Sequence, residues 1–168
     1  KRGGRSAFGA DIDAAGRFWV VRSNDTGKTW QQILELEQRV DDIAVDAERD
    51  RVYITSGGVL WVWQNGALQS LDTPVDQFGK RQVHGVAVDP VDSNVVYAAQ
   101  RKNIYAVSVS AMRSRDAGRT WEALSRQQPL ASGDRDGGRE SFGVRVHPET
   151  RKPWFVTGCH GIWKHAAP

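Results

Sequence analysis

The side chains of this 168-residue sequence that could do chemistry sit in its polar stretches. Asp42 and Glu140 each stand just ahead of a short run of alternating apolar residues. Two carboxyl groups facing each other across one cleft, about 5 to 10 Å apart, could serve as the acid and base, or acid and nucleophile, of glycosidic-bond hydrolysis. Asp41, His84, Arg101, Lys102 and His160 offer donors and acceptors to a polar ligand, and each also reads as an ordinary solvated loop residue. Cys159 and His160 are adjacent, but without a second pair they fall short of a structural zinc site. The thiol also lacks a recognisable orienting group of the kind a nucleophile needs. No metal and no cofactor is expected.

Two more aspartates, Asp25 and Asp116, lie inside a repeated octamer, "SNDTGKTW" from Ser23 to Trp30 and "SRDAGRTW" from Ser114 to Trp121. The copies agree at five of eight positions: Ser23 and Ser114, Asp25 and Asp116, Gly27 and Gly118, Thr29 and Thr120, Trp30 and Trp121. Ser and Asp side chains bond nearby backbone amides, Gly supplies a positive φ, and Thr restarts a strand. Trp then offers a large apolar body for burial. The pattern is strand, stapled turn, strand.

The elements around these residues repeat as well. "VDDIAVDAERDRVYITSGGVLWVW" from Val40, "VHGVAVDPVDSNVVYAAQRKNIYAV" from Val83 and "SFGVRVHPETRKPWFVTGCHGIWKH" from Ser141 align, with a degraded copy from Ala7. Four copies average about 42 residues, the size of a four-stranded propeller blade. Ile43/Val45, Val86/Val88 and Val144/Val146 alternate with Ala44, Ala87 and Arg145, which is the period of a strand packed on a neighbouring sheet. "RVYIT", "VVYAA" and "WFVTG" supply second strands, and "VLWVW", "NIYAV" and "GIWKH" third strands. "TWQQIL" and "TWEAL" follow the octamers as fourth strands, and Asn65-Gly66 marks a hairpin in the copy without an octamer. No segment has sustained helical periodicity. The expectation is an all-β propeller of about four blades over 1–168, with repeats near 7–36, 40–72, 83–125 and 141–168.

Charge and cysteine content narrow the classes further. The net charge of +3 comes from 23 basic and 20 acidic residues mixed along the chain, a solvated surface without the basic helix expected of a nucleic-acid binder. A single cysteine excludes an internal disulfide, and no apolar run approaches the roughly 20 residues that span a membrane. The sequence opens at Lys1, as would a mature product, an excised domain or part of a longer chain.

The octamers resemble Asp-box, or BNR, repeats of the pattern Ser/Thr-x-Asp-x-Gly-x-Thr-Trp. With "GVAVDPVDSNVVYAA" between them, the chain is similar to the sialidase-related propellers, a group that includes xyloglucanase-type glycoside hydrolases, sortilin-type receptors and photosystem-assembly factors. The resemblance implies that Asp25 and Asp116 are structural staples. It also implies ligand binding on the face where inner strands begin, which selects Asp41, Asp42, His84, Arg101, Lys102, Glu140 and His160. Sialidases of the group carry an Arg-Ile-Pro motif, absent here, and the xyloglucanase-type enzymes place their acid and base on a much longer, two-propeller chain.

The resulting expectation is a non-catalytic scaffold binding a carbohydrate or protein partner on that face. The alternative is a fragment of a xyloglucanase- or sialidase-like glycoside hydrolase. Secretion or a periplasmic location is what the resemblance implies. The first copy is too short for a full blade and the last stops before a fourth strand. Exposed strand edges would therefore be completed by further propeller blades or by a second copy of the chain.

Overall fold

The computed structural model describes residues 6–75, 82–100, 111–124, 141–157 and 161–164. These residues form strands and turns only, in four antiparallel sheets. The first sheet holds β1 (Ala7–Ile12), β2 (Phe18–Ser23) and β3 (Gln31–Leu36), and the second β4 (Val40–Asp46), β5 (Arg51–Ser56), β6 (Val59–Gln64) and β7 (Ala67–Ser70). The third holds β8 (Val83–Val88), β9 (Val96–Gln100), β10 (Ala111–Ser114) and β11 (Glu122–Ala123). The fourth holds β12 (Ser141–Val146), β13 (Pro153–Thr157) and β14 (Gly161–Lys164). Within each sheet the strands lie in chain order, so each sheet is a meander. "NIYAV" lies outside the described residues, among which the third strand of that sheet is β10.

The sheets stack face to face, and period two decides which neighbour each side chain meets. On β5, Val52 and Ile54 turn toward Val20 and Leu36 of the first sheet, while Tyr53 turns toward Val86, Val96, Ala98 and Met112 of the third. On β9 the same alternation sends Val96 and Ala98 to the second sheet, and Tyr97 and Ala99 to Val144 and Phe155 of the fourth. Strands inside the stack are therefore apolar on both faces. Full burial of a side chain such as Phe155 stabilises by about 1.5 to 3 kcal/mol.

β4, β8 and β12 lie side by side, with β8 between the other two, and form the inner line of the stack. We call the end where these strands begin the upper end. At the lower end each runs into a turn capped by its own last polar side chain. Asp46 accepts from the Glu48 and Arg49 amides, Asp89 from those of Val91 and Asp92, and His147 Nδ1 from those of Glu149 and Thr150. Asn65 and Gly66 both take positive φ, 52° and 79°, as the β6–β7 hairpin requires.

The first sheet departs from the expected alignment. Ile12 and Phe18, at the β1–β2 turn, share a groove with Arg39 and Val40 at the upper end, whereas Arg22, near the end of β2, approaches Asp50 at the lower end. β1 thus runs upward, as β5 does, and touches β4 only lightly. It has the rank of a second strand, not an inner one. The misalignment has a physical source: Asp13 caps the Ala15 and Arg17 amides in the way that Asp46 and Asp89 cap theirs, so two turns at opposite ends of the molecule look alike in sequence.

Both octamers are lower-end turns with the same bonding. Ser23 Oγ accepts from the Gly27 amide at 2.8 Å and donates to Asp25 Oδ1 at 2.8 Å. Asp25 then takes the Thr29 amide at 2.9 Å and its hydroxyl at 2.7 Å. In the second copy Ser114 holds the Gly118 amide at 2.7 Å, and Asp116 holds the Thr120 amide at 2.8 Å and hydroxyl at 2.6 Å. Trp30 and Trp121 each donate Nε1–H to the glycine carbonyl at 3.1 Å. Thr26 and Ala117 (both φ 62°) precede Gly27 and Gly118 (88° and 95°), a pair of left-handed residues. The tryptophans differ: Trp121 packs on the core between the second and third sheets, while Trp30 is 49% exposed because no described sheet lies beyond the first.

Candidate functional site

The three inner strands share an irregularity at their upper ends. Pairing skips one residue between Val40 and Asp42, between Val83 and Gly85, and between Ser141 and Gly143. The bulged residues are Asp41, His84 and Phe142, one per strand at equivalent places. A bulge re-aims its side chain, and here it turns Asp41 and His84 toward each other: His84 Nδ1 lies 3.1 Å from Asp41 Oδ2. The other ring nitrogen, Nε2, is buried and finds no partner among the described residues. Arg39 stands 3.6 Å from the other Asp41 oxygen. Gln38, Arg39, Asp41, Gly57, Gly58, Gln82 and His84 line a recess of about 200 Å³ here.

Asp42, the next residue, is committed to the framework. Its carboxylate takes both η nitrogens of Arg145, at 2.8 and 3.0 Å, together with the amides of Ile43 and Val86 at 3.0 and 3.1 Å. One aspartate therefore ties β4 to β8 and β12. Hydrogen bonding to Asp42 raises the Arg145 pKa, against an opposing effect of burial. Gly85 and Gly143 occupy the places equivalent to Asp42 on the other two strands and bring their backbones close together. Asp41, Asp42, Gly143, Val144, Arg145 and Val156 line a second recess of about 310 Å³ beside the first.

Of the residues expected on this face, the structure brings Asp41, Asp42 and His84 together. Arg101, Lys102, Glu140 and His160 lie outside the described residues. Arg145 was missed as a site residue, although a signal was present: it takes the place held by Ala44 and Ala87 in the other copies. Among the described residues no Trp, Tyr or Phe side chain lines either recess. Among the described residues no group of three His, Cys, Asp or Glu side chains could hold a metal ion.

Sheets stacked around a line of inner strands, each sheet a meander from the axis outward, define β-propeller blades. Solved structures agree with this class. The chain is similar to the GH74 xyloglucanase of Xanthomonas campestris, with a TM-score of 0.66 and 20% identity over 92% of this chain and 27% of that one. It is similar to the GH74 enzyme of Niastella koreensis, with a TM-score of 0.68 and 14% identity over 95% of this chain and 26% of that one. A chain of a nidogen/laminin complex matches with a TM-score of 0.67 and 15% identity over 92% of this chain and 53% of that one. The chain thus spans about a quarter of the two GH74 enzymes and about half of the third. No protein-family model matches the sequence, and no curated protein matches it either.

Proposed function

We propose that this chain is an Asp-box propeller segment that acts as a non-catalytic scaffold, engaging a polar ligand, a carbohydrate or a protein partner, at the upper recess of Asp41, His84 and Arg39. Further blades or a second copy of the chain would complete the ring. The octamer geometry supports the Asp-box reading, since Ser, Asp and Thr spend their polar atoms inside the turn. The observation that carries the scaffold reading is the state of Asp42. A general acid or base must have a free oxygen to exchange a proton, and both oxygens of Asp42 are held by Arg145 and two backbone amides. Asp41, by contrast, lines the upper recess beside His84 and Arg39. The rival reading, a piece of a glycoside hydrolase, is favoured by the likeness to GH74 enzymes and by the two adjacent carboxylates.

One experiment separates the two readings. The intact protein should release no reducing sugar from xyloglucan or from sialosides. Ligand binding should weaken in Asp41→Asn and His84→Gln variants that melt like the parent. Hydrolysis that disappears in Asp42→Asn would overturn the scaffold reading and establish the rival.

A further inference from the structure

The lower end carries a recess of its own, unrelated to the two upper ones and independent of any role assigned there. Asp89, Val95, Tyr97, Arg113, Arg115, Thr150 and Arg151 line about 380 Å³ between the third and fourth sheets. Three guanidinium groups meet at this one place, drawn from β10, from the second octamer and from the β12–β13 turn. Arg113, beside Tyr97, is the most enclosed of the three, while Arg115 and Arg151 are each held through Nε. Arg113 and Arg115 both donate Nε–H to Glu122 Oε1, at 2.5 and 3.1 Å, and Arg151 donates Nε–H to both oxygens of Asp89 at 3.0 Å.

Among the described residues the η nitrogens of Arg115 and Arg151 make no hydrogen bond to a protein atom, and both side chains stay accessible, at 60% and 43% exposure. Asp92 acts on Arg151 only through space. Apart from the Asp89 carboxylate, which faces Arg151, the remaining lining groups are hydroxyls or apolar walls. Burial raises the Tyr97 pKa, so its phenol remains a neutral hydroxyl, and Thr150 adds a second hydroxyl at the rim.

We infer that this recess binds a tetrahedral oxyanion, the phosphate or sulfate group of a small molecule. Forks arriving from two different turns can each grip a pair of oxygens on one tetrahedral group, whereas a planar carboxylate offers a single pair. Asp89 and Glu122 are positioning residues: they set the direction of the guanidinium planes. Val95 and the Tyr97 ring leave room for the organic part of an ester beside the anion.

Arginine footprinting on the intact protein tests this. Phenylglyoxal labelling followed by peptide mass mapping is run at constant ionic strength in chloride, inorganic phosphate, inorganic sulfate, glucose 6-phosphate or glucose 6-sulfate. The oxyanions should slow labelling of Arg115 and Arg151 at least about three-fold, and leave Arg119, in the same octamer but outside the recess, at its chloride rate. An Arg115→Gln variant should lose the protection of Arg151, and stronger protection by the esters would identify the bound form as an ester, by the inorganic ions as the free anion. Equal slowing at Arg119, protection of Arg151 that survives Arg115→Gln, or no protection by any of the four anions would overturn the assignment.

Discussion

Gly85 and Gly143 face each other across β8 and β12, yet they should respond oppositely to the same substitution. A Cβ built on Gly85 falls 2.7 Å from the Gly143 Cα, 3.1 Å from its carbonyl carbon and 3.1 Å from the Ala99 Cβ. Carbon atoms in contact sit about 3.5 to 4.0 Å apart, so roughly 1 Å of overlap must be relieved. Two of the three obstacles are backbone, and no rotamer change can move them. β8 must draw away from β12, next to the Val86 amide that bonds Asp42. Such overpacking costs about 2 to 3 kcal/mol, or about 5 to 10 °C of melting temperature for a chain of this size. A Cβ on Gly143 meets nothing within 4 Å. Gly143→Ala should therefore be neutral or raise stability by up to about 1 kcal/mol, through the reduced freedom of the unfolded chain. Thermal melts followed by circular dichroism, with urea unfolding as a second measure, give both values. Equal losses in the two variants, or an unchanged Gly85→Ala, would refute the claim that close approach of the inner strands is a packing constraint.

Two other outcomes follow from the turns. Asp25 and Asp116 are each held to a pKa of about 2 by the amide and hydroxyl of Thr29 and Thr120. Because 2 lies below the unfolded value of 3.8, their stabilisation is fully present above about pH 4 and is lost as the pH falls through about 2. Asp116→Asn should melt below the parent at pH 6, with the gap closing toward pH 2, and a gap independent of pH would exclude the carboxylate as the cause. Trp121→Ala should cost about 2 to 4 kcal/mol and Trp30→Ala about 1 kcal/mol, since the first leaves a packed site and the second a half-exposed one. Urea unfolding of the two variants side by side checks the order.

The repeated parts of the fold were legible because their chemistry is local. Five matched residues specify each octamer turn, and the alternation around Val86 and Val144 specifies inner strands, whatever lies around them. The rank of β1 was not legible, because capping by Asp13 imitates Asp46 and Asp89, and only the spatial neighbours of Ile12 and Arg22 tell the two ends apart. The exposure of Trp30 depends on what stands beyond the first sheet, which its own octamer does not encode. The candidate site was half legible: Asp41, Asp42 and His84 were named from their positions, whereas the division between them was hidden. One bulged residue separates a carboxylate that faces an open recess from one that ties three strands, and register is a property of pairing, visible only when the partner strand is in place.

The bulge common to the three inner strands also bears on how such a surface can change. The second and third blades each deliver one side chain to the rim of the axis from an equivalent backbone position, as spokes deliver load to a hub. The bulge is made by the pairing partners, so the side chain it carries is free to vary. Asp41 and His84 already show that a carboxylate and an imidazole fit the same socket. Replacing one of them alters the rim, including its hydrogen bond to the other, and leaves the hydrogen-bond ladders, the turns and the stacked core as they were. A binding face can then be rewritten one blade at a time, with recognition and folding stability drawing on separate sets of residues.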